Sequence, residues 1–157
     1  MTPATGFMQR AIELSQIHME SGHGGPFGAV VVFDGKIIGE GWNCVTSHKD
    51  PTAHAEVEAI RKACAHLDSF DLAGCEIYTS CEPCPMCLAA IYWARISKIF
   101  YANTKSDAAA IDFNDAFIYQ EIAKNPLHRS IPMVQLMRTE ANKVFFLWQQ
   151  KPDRQPY

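Results

Sequence analysis

The sequence predicts an α/β fold: three layers, α/β/α, built on a mixed five-stranded sheet. Three observations predict it. Segments with the period of strands alternate along the chain with segments of helical period, the order that lays helices on the faces of a sheet. Asp34-Gly35 separates two of the strand segments and is a strong type I′ hairpin signal. With 157 residues, 48% apolar and 20% charged, the chain has the composition of one compact domain that buries roughly 70% of its unfolded surface. No repeat, low-complexity tract or linker interrupts it, so residues 1–157 read as a single domain in which 139–157 form a C-terminal helix and tail.

Residues 7–20 carry a broad apolar stripe of Phe7, Ala11, Leu14 and Ile17 at helical spacing, ended by the glycine- and proline-rich run 21–26. Residues 27–33 and 36–41 are the hairpin strands. After a polar loop, Thr52 is the expected N-cap of a helix over 53–66, with Val57, Ile60, Ala63, Cys64 and Leu67 inward. A turn at 71–74 leads to a strand over 75–80, and Pro85 suits the first turn of the next helix. Residues 96–102 form a fourth strand, 103–111 a polar connection, 114–124 a helix stopped by Asn125-Pro126, 131–138 a fifth strand and 140–150 a last helix.

Two short stretches on this frame carry chemistry: His54-Ala55-Glu56 and Cys81-Glu82-Pro83-Cys84-Pro85-Met86-Cys87. One imidazole and a Cys-x-x-Cys pair are three donors suited to a tetrahedral zinc ion, and a set that stops at three leaves a position for water, the mark of catalytic sites. Glu56 stands two residues from His54, on another side of the helix, and reads as a proton carrier beside that water rather than a ligand. Both stretches fall at helix starts, where the dipole favours thiolate and an anionic Glu56. Cys81, three residues before Cys84, is a rival ligand.

His54-x-Glu56 with Pro83-Cys84-x-x-Cys87 resembles the zinc-dependent cytidine and deoxycytidylate deaminase superfamily. The resemblance implies a cytidine deaminase-like fold, one Zn2+ per chain on His54, Cys84 and Cys87, and hydrolytic deamination with Glu56 as the catalytic proton shuttle. A narrower resemblance, to the small bacterial guanine deaminases, rests on 24–30 (GGPFGAV), 50–56 (DPTAHAE), 78–87 (YTSCEPCPMC), 90–95 (AIYWAR), 113–119 (FNDAFIY) and a terminal tyrosine. It implies conversion of guanine to xanthine and ammonia in purine salvage or catabolism. By the same resemblance Asn43 hydrogen-bonds the ring, Phe27, His54 and Trp93 line its faces, Asp115 accepts from purine N–H groups, and Tyr157 closes the pocket. Asp112 is a rival for the role of Asp115. Members of the family are usually homodimers, and guanine deaminases can exchange C-terminal segments. The prolines of 151–157 would hold such an arm extended.

Residue chemistry alone reads several of these positions differently. An aspartate at a helix start is more often a cap, Asn43 after a strand a turn residue, Phe27 and Trp93 core, and a terminal tyrosine frayed. His18, His23, His48, His66 and His128 read as surface or structural.

A net charge of −3 without a basic run argues against nucleic acid as a partner and so against tRNA adenosine deamination. Nowhere do 18 apolar residues follow one another, and the start lacks the pattern of a signal peptide, so a cytoplasmic protein without membrane contact is expected. The six cysteines lack the spacing of a disulfide framework. Guanosine is the nearest alternative substrate, and cytosine also fits the zinc motif. A thiol–disulfide oxidoreductase would have no use for His54-x-Glu56, and a purely structural zinc module would close its fourth position.

Overall fold

The structure, a computed structural model, describes residues 2–157. It forms two compact units, one ending at Asp115 and the other spanning Ala116–Tyr157.

The first unit holds the layered architecture. Helix α1 (Pro3–Glu20) begins four residues before the expected start, because Thr2 caps it by accepting from the Thr5 amide and Pro3 occupies the first turn. Strands β1 (Gly28–Phe33) and β2 (Lys36–Trp42) are joined by Asp34 and Gly35 at φ 48° and 70°, the positive pair of a type I′ turn. A short α2 (Val45–His48) precedes α3 (Ala55–Leu67), followed by β3 (Glu76–Cys81), α4 (Pro85–Trp93), β4 (Lys98–Asn103) and α5 (Lys105–Ala109). The polar connection expected after β4 thus contains a helical turn, started by a capping box between Thr104 and Asp107.

The sheet runs β2-β1-β3-β4, with β1 antiparallel to both neighbours and β3 parallel to β4, so it is mixed as expected. Alternation along β1 divides the core. Ala29 and Val31 join Ala55, Ala59, Ala63, Ile77 and Ile91 on the side of α3 and α4, whereas Val30 and Val32 join Leu14 and Tyr78 on the side of α1.

Close approach sets the seat of α3. A Cβ on Gly39 would lie 2.4 Å from the Ala59 carbonyl oxygen, and one on Gly41 2.0 Å from that of Ala55. The bare glycine backbone lets the stripe Ala55, Ala59, Ala63 lie on β2, so these alanines, rather than Val57, form the fully buried face of α3. The N-cap of α3 is His54 and not Thr52. Thr52 instead turns its hydroxyl to Asp50 Oδ1 at 2.7 Å.

The second unit contains α6 (Ala116–Ala123), a 3-10 turn (Pro126–His128) and α7 (Arg138–Gln150). The fifth strand expected over 131–138 does not form: the sheet of the described residues has four strands. Pro132 lacks an N–H for a ladder, Met137 turns left-handed at φ 53°, and Ile131, Met133, Val134 and Leu136 are all exposed, so neither face of the segment is covered. Among the described residues no helix is long and apolar enough to cross a membrane.

Candidate active site

Two helix starts meet at one point. His54, at the N-cap of α3, and Cys84, at the N-cap of α4, are brought together because β3 carries the chain across the sheet between them. Cys87 follows in the first turn of α4 and is fully buried. His54 Nδ1 lies 3.5 Å from Cys84 Sγ and 3.5 Å from Cys87 Sγ. Zinc–nitrogen bonds of about 2.0–2.1 Å and zinc–sulfur bonds of about 2.3 Å at a tetrahedral angle separate N and S by about 3.6 Å. The donor set therefore fits a zinc ion in type, number and spacing.

The electrostatics favour cation binding. The Cys84 thiol is pulled down to about 4, first by the hydrogen bond from Cys87 and then by His54 and the Cys87 backbone amide. Cys87, the donor to Cys84 and deeply buried, is pushed up. The same contact with Cys84 raises His54. Cys84 thus provides the thiolate that a metal needs.

Cys81 does not enter this cluster. Among the described residues, His54, Cys84 and Cys87 are the set whose ligand atoms all lie within 4.8 Å of one another. Cys81 Sγ instead lies 3.6 Å from the Thr104 carbonyl, and burial pushes its thiol up to about 11.

Glu56, in the first turn of α3, is 6% exposed. Burial, first of all, raises its pKa, which favours a carboxylate that picks up and gives back a proton. Thr79 from β3 places its hydroxyl 3.4 Å from Glu56 Oε1 and 2.9 Å from the Cys81 carbonyl. The sequence offered no signal for Thr79, since only the strand register sets it under α3.

The other expected site residues fall in different places. Asn43 is buried, and its Oδ1 accepts from the amides of Gly25 (3.2 Å) and Val45 (3.1 Å), which leaves the amide nitrogen as its outward donor. Gly24 makes room for this, because a Cβ there would sit 2.3 Å from Asn43 Oδ1. Phe27 is half-buried and meets Phe113 edge-on at 4.9 Å. Phe113, given no role in the sequence reading, is placed by the loop after α5 turning back over Gly25, where a Cβ would lie 3.0 Å from its ring. Asp115 is raised by burial, with the Cys84 charge adding to it, which puts its carboxyl in the field of the cysteine cluster. Asp112 is exposed at φ 70°. Trp93 ends α4, 65% exposed and nine residues past Cys84, about 13 Å along the helix at 1.5 Å per residue. Tyr157 is 75% exposed in the second unit.

Comparison with known proteins agrees with this geometry. Residues 1–103 match the family described as cytidine and deoxycytidylate deaminase zinc-binding region. The chain is 52% identical to the guanine deaminase of Bacillus subtilis over 151 residues, covering 96% of this chain and 97% of that one. The X-ray structure of guanine deaminase from Bacillus subtilis superposes with a TM-score of 0.94 over 98% of each chain, at 52% identity. A tRNA-specific adenosine deaminase of Aquifex aeolicus is 47% identical over 77 residues, 49% of this chain and 51% of that one. A family match over the elements that carry His54, Glu56, Cys84 and Cys87, joined to a likeness that runs the full length, places this chain in the cytidine and deoxycytidylate deaminase family.

Proposed function

We propose that this chain is a zinc-dependent guanine deaminase that hydrolyses guanine to xanthine and ammonia, with one zinc ion held by His54, Cys84 and Cys87. The observation that carries the reading is His54 Nδ1 at 3.5 Å from both thiols with the buried carboxylate of Glu56 on the same helix start. Choice of guanine is supported by the likeness to the Bacillus subtilis enzyme, which runs over 96% of the chain, whereas the Aquifex aeolicus relative matches 49% of it. The net charge of −3 further disfavours a tRNA substrate.

Bound zinc supplies a Lewis acid that brings the pKa of a water molecule to about 7. Glu56 takes one proton from the attacking water and passes it to a ring nitrogen, then takes the second from the resulting C2 hydroxyl and passes it to the amine, which leaves as ammonia. Asn43, with its oxygen held by two backbone amides, presents N–H to an acceptor on the purine. Asp115 accepts from the purine N–H edge, and the rings of Phe27 and His54 flank its faces. By the resemblance to guanine deaminases, Trp93 and Tyr157, both exposed in a single copy, complete the pocket in the dimer. Purified zinc-loaded protein should release ammonia from guanine and form xanthine, with Glu56→Gln inactive but zinc-bound. Ammonia from guanosine and none from guanine would overturn the choice of substrate.

The catalytic module is the whole chain, and it works as a homodimer that exchanges C-terminal segments. Support comes from the second unit, where none of residues 116–157 is buried in a single copy. Phe145, Phe146 and Leu147 are 71%, 61% and 66% exposed there, an apolar surface that a second copy would cover. Light scattering should give a dimer, and loss of residues 155–157 should lower kcat/KM; a fully active monomer would exclude this. The six thiols, all free, favour a cytoplasmic setting, testable by cell fractionation.

A further inference from the structure

At the opposite end of α1 from its cap, two histidines that the deamination chemistry does not use face each other. His18 Nδ1 and His23 Nδ1 are 3.2 Å apart, both rings half-buried. Both residues are anchored. His18 stacks on Trp42 with centroids 3.6 Å apart and planes 4° from parallel, which covers one face of its ring. His23 is pinned through its carbonyl, which accepts from the Ser47 amide at 3.3 Å and the Thr46 hydroxyl at 3.2 Å.

We propose that His18 and His23 form a second metal site, which takes a late first-row divalent cation of the Zn2+, Cu2+ or Ni2+ class through the two Nδ1 atoms. Two imidazole nitrogens 3.2 Å apart, each about 2.0–2.1 Å from one ion, subtend about 100° at it. That angle lies between the square-planar and tetrahedral values, and imidazole is the donor these ions share. The ring centroids agree: lying about 1.1–1.2 Å behind their nitrogens, they would stand about 5 Å apart around such an ion, and they stand 5.0 Å apart.

The surroundings keep the lone pairs available. Burial, then His23, Lys62 and Arg10, lower the pKa of His18, so its ring is neutral at neutral pH. The Arg10 charge is spent on Glu40, bound at 2.7 and 2.9 Å, and Lys62 Nζ rests 3.9 Å from the centre of the Trp42 ring. These cations weaken the site relative to the thiolate centre, so zinc fills His54, Cys84 and Cys87 first. For both Nδ1 atoms to bind one ion, any proton on either Nδ1 leaves to solvent and each ring carries its N–H at Nε2. Occupancy would tie the last turn of α1 to the loop whose next residues, Gly24 and Gly25, contact Asn43.

The test is calorimetric titration of the holoenzyme, already carrying one zinc, with Zn2+ and separately with Ni2+ in a non-chelating buffer. A second equivalent below about 1 mM is expected, at least tenfold weaker in both His18→Phe, which keeps the stack on Trp42, and His23→Asn. Deamination of guanine by each variant checks that it is folded. In wild-type protein, Ni2+ added below one equivalent should broaden the His18 and His23 imidazole NMR signals before any other histidine. No second equivalent, undiminished affinity in either variant, or broadening confined to other histidines would overturn the site.

Discussion

A Cβ on Gly41 would lie 2.0 Å from the carbonyl oxygen of Ala55, the residue between His54 and Glu56. Strand β2 thus sets the height of the helix start that carries both groups. Gly41→Ala should push α3 off the sheet, cost about 1–3 kcal/mol of stability and lower kcat/KM, because the metal ligand and the proton carrier move together. Denaturant melts and guanine turnover check this. An unchanged midpoint with full activity would mean that α3 does not rest on this contact.

Glu56→Gln should lower kcat by about 10²–10⁴ or more with zinc content unchanged. Metal analysis alongside turnover separates loss of the shuttle from loss of the metal, and a variant that keeps near wild-type kcat would exclude Glu56 as the shuttle.

Removing zinc should cost stability as well as activity, since the ion binds only the folded arrangement of three ligands. At a free zinc concentration 100 times Kd the linkage is about 2.7 kcal/mol, or roughly 5–10 °C in Tm for a chain of this size. Thermal melts with and without chelator should show this difference, and Cys87→Ala should melt like the chelated protein whatever zinc is added.

Phe113 stands edge-on to Phe27 at 4.9 Å. An aromatic pair of this kind contributes about 0.5–1.5 kcal/mol beyond its buried area, so Phe113→Ala should lower kcat/KM for guanine about 2- to 10-fold, chiefly through KM. Steady-state kinetics would show whether kcat carries the loss instead, which would exclude Phe113 as the support that holds Phe27 against the substrate.

Tyr78, stacked on Phe100 with centroids 4.4 Å apart and bonded to Glu76 Oε2 at 2.9 Å, is pushed up to about 12 by burial first and the Glu76 contact second. Its ordinary value is 10.0, so the folded state holds the phenol proton more tightly than the unfolded state. The stability from this group is complete below pH 10 and is lost as pH rises toward 12. Urea midpoints across that window should fall less steeply in Tyr78→Phe than in wild type.

The parts legible in the sequence were those governed by neighbours in the chain. The Asp34-Gly35 turn, the Pro85 helix start and the strand through Val30, Val31 and Val32 each follow from backbone torsions or local composition. Thr52 misled because Asp50, two residues away, bound its hydroxyl before the helix could. Residues 131–138 misled because a strand exists only with a partner, and apolar residues without one are indistinguishable by pattern from those with one.

By itself the sequence determined the chemistry on offer: an imidazole, two thiolates at a helix start and a carboxylate two residues from the imidazole. Only the tertiary structure decided which groups meet. The β3 crossover brings His54 to Cys84 and Cys87 while Cys81 turns to Thr104; the register of β3 slides Thr79 under Glu56; and the glycines of β2 set the seat of α3. The reason is physical. Side-chain type and local torsion are properties of short stretches, whereas distances of 3–4 Å between residues 30 apart in sequence depend on how strands pair and how closely helices pack on them.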